Sequence, residues 1–176
     1  MHQHLGPLMG VLGALAWSGL SAQEQACTLL TAADIETITG TKEMGEPHPT
    51  DMVIPAGPQK GQKMNGCMWG VAGSGMVSVS LMQMPPGVSR QAAMAKLEEV
   101  YAQLRAKKWT QDDKNYPDGR CTIFTPPPTE KSAPILSGCI VEKHGVVVSS
   151  SLMHPTVKLS MDKAKALSDK VASHVH

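Results

Sequence analysis

Apolar positions along the chain recur with two different periods. Between Val88 and Lys108, the residues Ala93, Leu97, Val100, Tyr101 and Leu104 return at spacings of three and four, which predicts an amphipathic helix. Arg105, Lys107 and Lys108 close it, where the helix dipole favours cations. A second such stripe, Ala164, Leu167 and Val171, follows Ser160. A third helix, short, is expected over 31–39. Thr31 can cap its free amides, Asp34 can reach back as in a capping box, and Leu30 and Ile35 hold the flanking apolar positions. Gly40 stops it. Apolar runs at 66–71, 76–84, 120–125, 135–143 and 146–152 predict strands. Gly73 and Gly75 can turn the first pair, and Lys143-His144-Gly145 the last. Residues 41–64, rich in Pro, Gly, Lys and Thr, read as a long loop with a short extended piece at Met52 to Ile54. Residues 110–119 read as a polar loop. The order α-ββ-α-βββ-α predicts an α+β domain, an antiparallel sheet of about five strands with helices packed on it.

Charge divides the chain unevenly. The 16 basic and 15 acidic residues all follow position 22, and the formal net charge is +1. Leu8 to Leu20 is apolar except for Ser18, shorter than the roughly 20 residues a membrane span needs. With the small residues Ser21 and Ala22 after it, 1–22 reads as a signal peptide cleaved near Ala22. Residues 23–176 then form a single disulfide-tied domain, periplasmic or secreted, with no membrane span in the mature chain. The near-neutral charge argues against nucleic acid as the partner.

Four cysteines, Cys27, Cys67, Cys121 and Cys139, include no C-x-x-C pair. In an oxidising compartment they allow two bridges in three connectivities. An antiparallel pairing of 120–125 with 135–141 centred near Glu130 puts Cys121 opposite Cys139 and Phe124 opposite Leu136. Elimination then joins Cys27 to Cys67. Glu24 stands where a lipoprotein signal needs an apolar residue before Cys27.

Cys27-Thr28-Leu29-Leu30-Thr31-Ala32-Ala33-Asp34, a helix ending at Gly40, and Cys67-Met68-Trp69 resemble a broad group of small exported bacterial domains of unknown function, many of them lipoproteins. Gly145-Val146-Val147-Val148 and Lys163-Ala164-Lys165-Ala166-Leu167 extend the resemblance over most of 27–173. It implies a PsbP-like sandwich, a Cys27–Cys67 bridge and no catalytic residues. The chain departs from that group in its missing lipid anchor and its second cysteine pair.

Candidate chemistry is sparse. Ser149, Ser150 and Ser151 near His144 and His154 suggest a small secreted hydrolase as one alternative, although no G-x-S-x-G elbow is present. Asp112, Asp113 and Asp118 lack the spacing of a calcium loop. Met reaches 12 residues while Phe, Tyr and Trp total six. Met76, Met82 and Met84 share one strand face with Ser78 and Ser80, and Met64 and Met68 precede them. Thioethers with imidazole suit copper, so Met76, Met82, Met84, His144 and His154 are the candidate ligands of a periplasmic copper-binding protein. The competing role for these methionines is to fill core space left by scarce aromatics. Trp69 shares a face with Cys67 and is expected to pack on the bridge. Trp109, at a helix end, is a possible partner contact. The leading expectation is a non-enzymatic exported domain without a cofactor, binding an envelope component, a partner protein or a small ligand.

Overall fold

The computed structural model describes residues 26–42, 44–53, 60–61, 63–71, 75–84, 87, 90–130 and 132–175. The expected signal segment 1–22 and the turn glycine Gly73 lie outside these residues. After a helical turn at 26–28, the chain runs α1 (Ala32–Thr39), β1 (His48–Val53), β2 (Lys63–Val71), β3 (Gly75–Gln83), α2 (Arg90–Ala106), β4 (Thr110–Tyr116), β5 (Gly119–Thr125), β6 (Ile135–Lys143), β7 (Val146–His154) and α3 (Met161–Ala172).

One antiparallel sheet holds all seven strands in the order β1-β2-β3-β7-β6-β5-β4. Two meanders, β1 to β3 and β4 to β7, join along the β3–β7 pair. The expectation of about five strands is therefore corrected to seven, within the same broad α+β class. Both added strands are sheet edges. β1, His-Pro-Thr-Asp-Met-Val, is exposed at every residue, so no buried alternation marks it in the sequence. β4, Thr-Gln-Asp-Asp-Lys-Asn-Tyr, is polar because its charges are answered from outside the strand. Asp112 pairs with Lys158, Asp113 with Arg120 and Lys114 with Asp162, each at 2.9 Å. Charges of this kind also blunt an edge against further strand pairing.

The core lies between one face of the sheet and the helices α1 and α3. Trp69, Val77, Val79, Val141, Val148 and Leu152 face Leu30, Ile35, Leu167 and Val171, all nearly inaccessible to solvent. Both expected bridges form. Cys27 joins Cys67, and Cys121 joins Cys139, its direct cross-strand partner; Phe124 and Leu136 are likewise opposite each other. Ser150, on this buried face, shares a 2.6 Å hydrogen bond with Ser168 of α3, so its polar group is satisfied.

α1 starts as its sequence predicts. The Thr31 side chain accepts from the Asp34 amide, and Asp34 accepts from the Thr31 amide and hydroxyl. Gly40 ends the helix with φ at 80°, a conformation that suits glycine. The Thr31 hydroxyl, then the Thr31 amide, with a further contribution from Lys170, hold the Asp34 carboxyl below its ordinary value. The Lys170 pair at 3.2 Å ties α1 to α3. Thr31→Ala should cost about 1 kcal/mol of stability. Because the folded-state pKa of Asp34 is depressed, its contribution is present above the unfolded value near 3.9 and lost as pH falls through the folded one. Asp34→Asn should therefore be less stable than wild type at neutral pH. Urea titrations at stepwise lower pH should show that gap closing.

Candidate functional site

The second face of the sheet is only partly covered. Along β3 burial alternates: Val77 and Val79 are buried, whereas Met76, Ser78, Ser80 and Met82 are half-buried. The methionine face is thus not the main core. It is the floor of a groove whose opposite wall is α2.

Strand register orders that floor into rows. Met52 is opposite Met64; Met64 lies one step beyond the Asn65–Leu81 pair, beside Met82; Met82 is opposite Val147, and Val147 opposite Glu142. The next row carries Gly66, Ser80, Ser149 and Ile140, and the one after it Ser78, Ser151 and Gly138. Ser78 and Ser151 share a 2.8 Å hydrogen bond. Small residues keep the centre of the floor low. At Gly66 a Cβ would run into Thr50, both its side chain and its carbonyl oxygen. The fourth row, Met76, Met153 and Leu136, reaches Phe124.

α2 is fastened to this floor at its C-terminal half. The Tyr101 and Phe124 rings meet edge to face, with centroids 4.8 Å apart. Arg120 of β5 pairs with Glu98 of α2 and with Asp113 of β4, and its guanidinium lies 5.6 Å from the Tyr101 ring centroid. Burial raises the Tyr101 hydroxyl pKa above its ordinary value. Burial also pushes Asp113 up, but hydrogen bonds from Arg120 and Thr122 outweigh it and leave the carboxyl below its usual value. The helix ends with Lys108 at φ 65°, its amide bonded to the Arg105 carbonyl and that of Trp109 to the Leu104 carbonyl. This is a left-handed helix cap adopted by a residue other than glycine.

Two cavities lie between α2 and the floor. The smaller, about 220 Å³, sits under Leu97, Tyr101 and Leu104. The larger, about 480 Å³, is lined by Met52, Met64, Met82, Met94, Val147 and Leu97, among others. Leu97, Val100, Ile140 and Ser149 border both, so the two adjoin. Ser80 and Ser149 also line the larger cavity, and among the described residues Glu142 is the charged one lining it. Met52 and Val100, on its border, are 55% and 48% exposed, large values for apolar side chains.

The residues singled out in the sequence are distributed as follows. Met76 and Met82 stand six residues apart on β3, about 20 Å along a strand. Met76 is paired with Met153, next to His154, whereas Met84 bonds through its amide to Gly145, next to His144. The structure therefore splits the Met76, Met82, Met84, His144 and His154 set between the two ends of the sheet. Among the described residues, no three His, Cys, Asp or Glu side chains converge as a metal site. His154 Nδ1 accepts from the amides of Thr156 and Val157, while Ser150 and Ser151 are hydrogen-bonded to other serines. Asp118, like Asp112 and Asp113, pairs with a cation, in its case Lys165. Trp109 is half-buried, with its Nε1 donating to Glu130 at 3.3 Å. Met52, Met64 and Met94 join Met82 around the larger cavity, a grouping that proximity in sequence does not show. Met52 and Met64 both lie within 41–64, the stretch read as a loop.

The antiparallel sheet is thus covered by α1 and α3 on one face and carries an apolar groove walled by α2 on the other. No protein-family model matches the chain, and no curated protein matches it in sequence. Among solved structures, the extracellular domain of PknH from Mycobacterium tuberculosis is similar, with a TM-score of 0.55 and 16% sequence identity. The match covers 87% of this chain and 95% of that domain. At that identity the likeness is one of fold. No helix among the described residues is long and apolar enough to cross a membrane. The two disulfides and the extracellular neighbour are consistent with a secreted or periplasmic protein.

Proposed function

We propose that this is an exported, non-enzymatic domain, periplasmic or secreted after cleavage near Ala22, that binds the alkyl chain of an amphiphile. The groove between α2 and the methionine row carries this reading. Its larger cavity has the size of a small-ligand site, with an apolar lining and a few polar groups. Among the described residues no aromatic ring lines that cavity, which disfavours a planar ligand held by stacking. Methionines are flexible and polarizable, and they fit chains of variable shape. Ser80 and Ser149 supply two of those polar groups on the groove floor.

A homologous series of straight-chain carboxylic acids tests it, through displacement of a dansyl-labelled undecanoic acid. Each buried methylene contributes about 0.8 kcal/mol, so affinity should rise roughly fourfold per added carbon until the groove is filled. Affinity that does not depend on chain length would overturn the reading.

A further inference from the structure

We propose that the methionine row is also a binding site for a soft monovalent metal ion, Cu(I). Met52, Met64 and Met82 occupy adjacent positions on three successive strands, and neighbouring strands lie about 4.8 Å apart. Met94 lines the same cavity from α2. A methionine side chain has three rotatable bonds, so sulfurs on such a row can turn toward one point. Thioethers are soft, neutral donors that select Cu(I) over zinc, calcium or magnesium. No free cysteine is present to compete, since all four form disulfides. Glu142, in the same row, places a carboxylate on the cavity wall that favours a cation. This set shares only Met82 with the dispersed Met76, Met84, His144 and His154.

The metal site does not depend on the alkyl-chain reading. An alkyl chain needs only apolar surface, whereas the metal needs sulfur. Met64→Leu combined with Met82→Leu keeps volume and apolarity and removes two donors. The oxidised full-length mature protein and this variant would be titrated with Ag(I), a redox-inert substitute, in chloride-free buffer. A parallel titration would use Cu(I) held reduced by ascorbate against a chromophoric chelator. The ε-methyl groups of all methionines would be followed by NMR. Expected is uptake of a single ion per chain, with shifts at Met52, Met64, Met82 and Met94 and none at Met161. The double variant should lose that uptake while its circular dichroism and melting temperature match those of wild type. Equal uptake by the variant, shifts confined to other methionines, or no uptake by wild type would each overturn the metal site. Loss of chain-length-dependent acid binding with metal uptake intact would count only against the alkyl-chain reading.

Discussion

Trp69→Ala is expected to lower stability by about 3–5 kcal/mol, the usual cost of emptying a fully buried aromatic site. Trp69 is 1% exposed and is among the largest fully buried side chains. It lies two residues from Cys67, on the face that α1 and α3 cover. The cavity left behind would be flanked by the Cys27–Cys67 bridge, whose 40-residue separation itself constrains the unfolded chain by about 3–4 kcal/mol. With both bridges intact the backbone has little freedom to collapse into the void, which places the expected cost toward the upper end of the range. A domain of this size is stable by only about 5–15 kcal/mol. Urea denaturation should therefore show a large drop in midpoint with little change in slope. Trp69 and the groove are on opposite faces of the sheet. At low temperature, where the variant remains folded, its affinity for an alkyl acid should match that of wild type. A matching loss of affinity would mean that the two faces are coupled.

What the sequence made legible follows from where each residue sits. The three helices are readable because their stripes and caps are local: Thr31 and Asp34 satisfy each other within one turn, and Gly40 ends it. The Cys121–Cys139 bridge is readable because β5 and β6 are consecutive strands, so register follows from the loop between them. The edge strands are not. β1 buries none of its residues, and β4 keeps its charges for Arg120, Lys158 and Asp162, partners from outside its own strand. Polar character that reads as a loop is, in three dimensions, an edge held by ion pairs.

The groove was half legible for a related reason. Strand parity correctly puts Met76, Ser78, Ser80 and Met82 on one face, and the presence of serine there already signals an incompletely dry surface. Parity cannot say what lies opposite. That depends on the β3–β7 pairing, which joins residues some 70 positions apart, and on where Arg120 and Phe124 hold α2. The same limit explains the metal candidates. Proximity in sequence grouped Met82 with Met84 and with histidines, whereas register groups it with Met64 and Met52.

Ser149→Phe is expected to weaken the binding of long alkyl chains at least tenfold while leaving the fold intact. Ser149 lies on β7, the central strand of the sheet, and faces both cavities below α2. A benzyl group there would extend into space that is empty and lined by Leu97, Val100 and Ile140, not into packed core. Filling such a void adds apolar contacts, so the melting temperature should stay the same or rise. The ligand would lose the middle of its path. A drop in affinity of at least tenfold, about 1.4 kcal/mol, is expected for the longest acids in the series. Short acids that occupy only the methionine end would be affected less. Displacement titrations alongside thermal denaturation separate the outcomes. Weakened binding with unchanged or higher stability means that the groove is the site. Full-strength binding of long acids by the variant would place the ligand elsewhere on the molecule and remove the basis for the alkyl-chain reading.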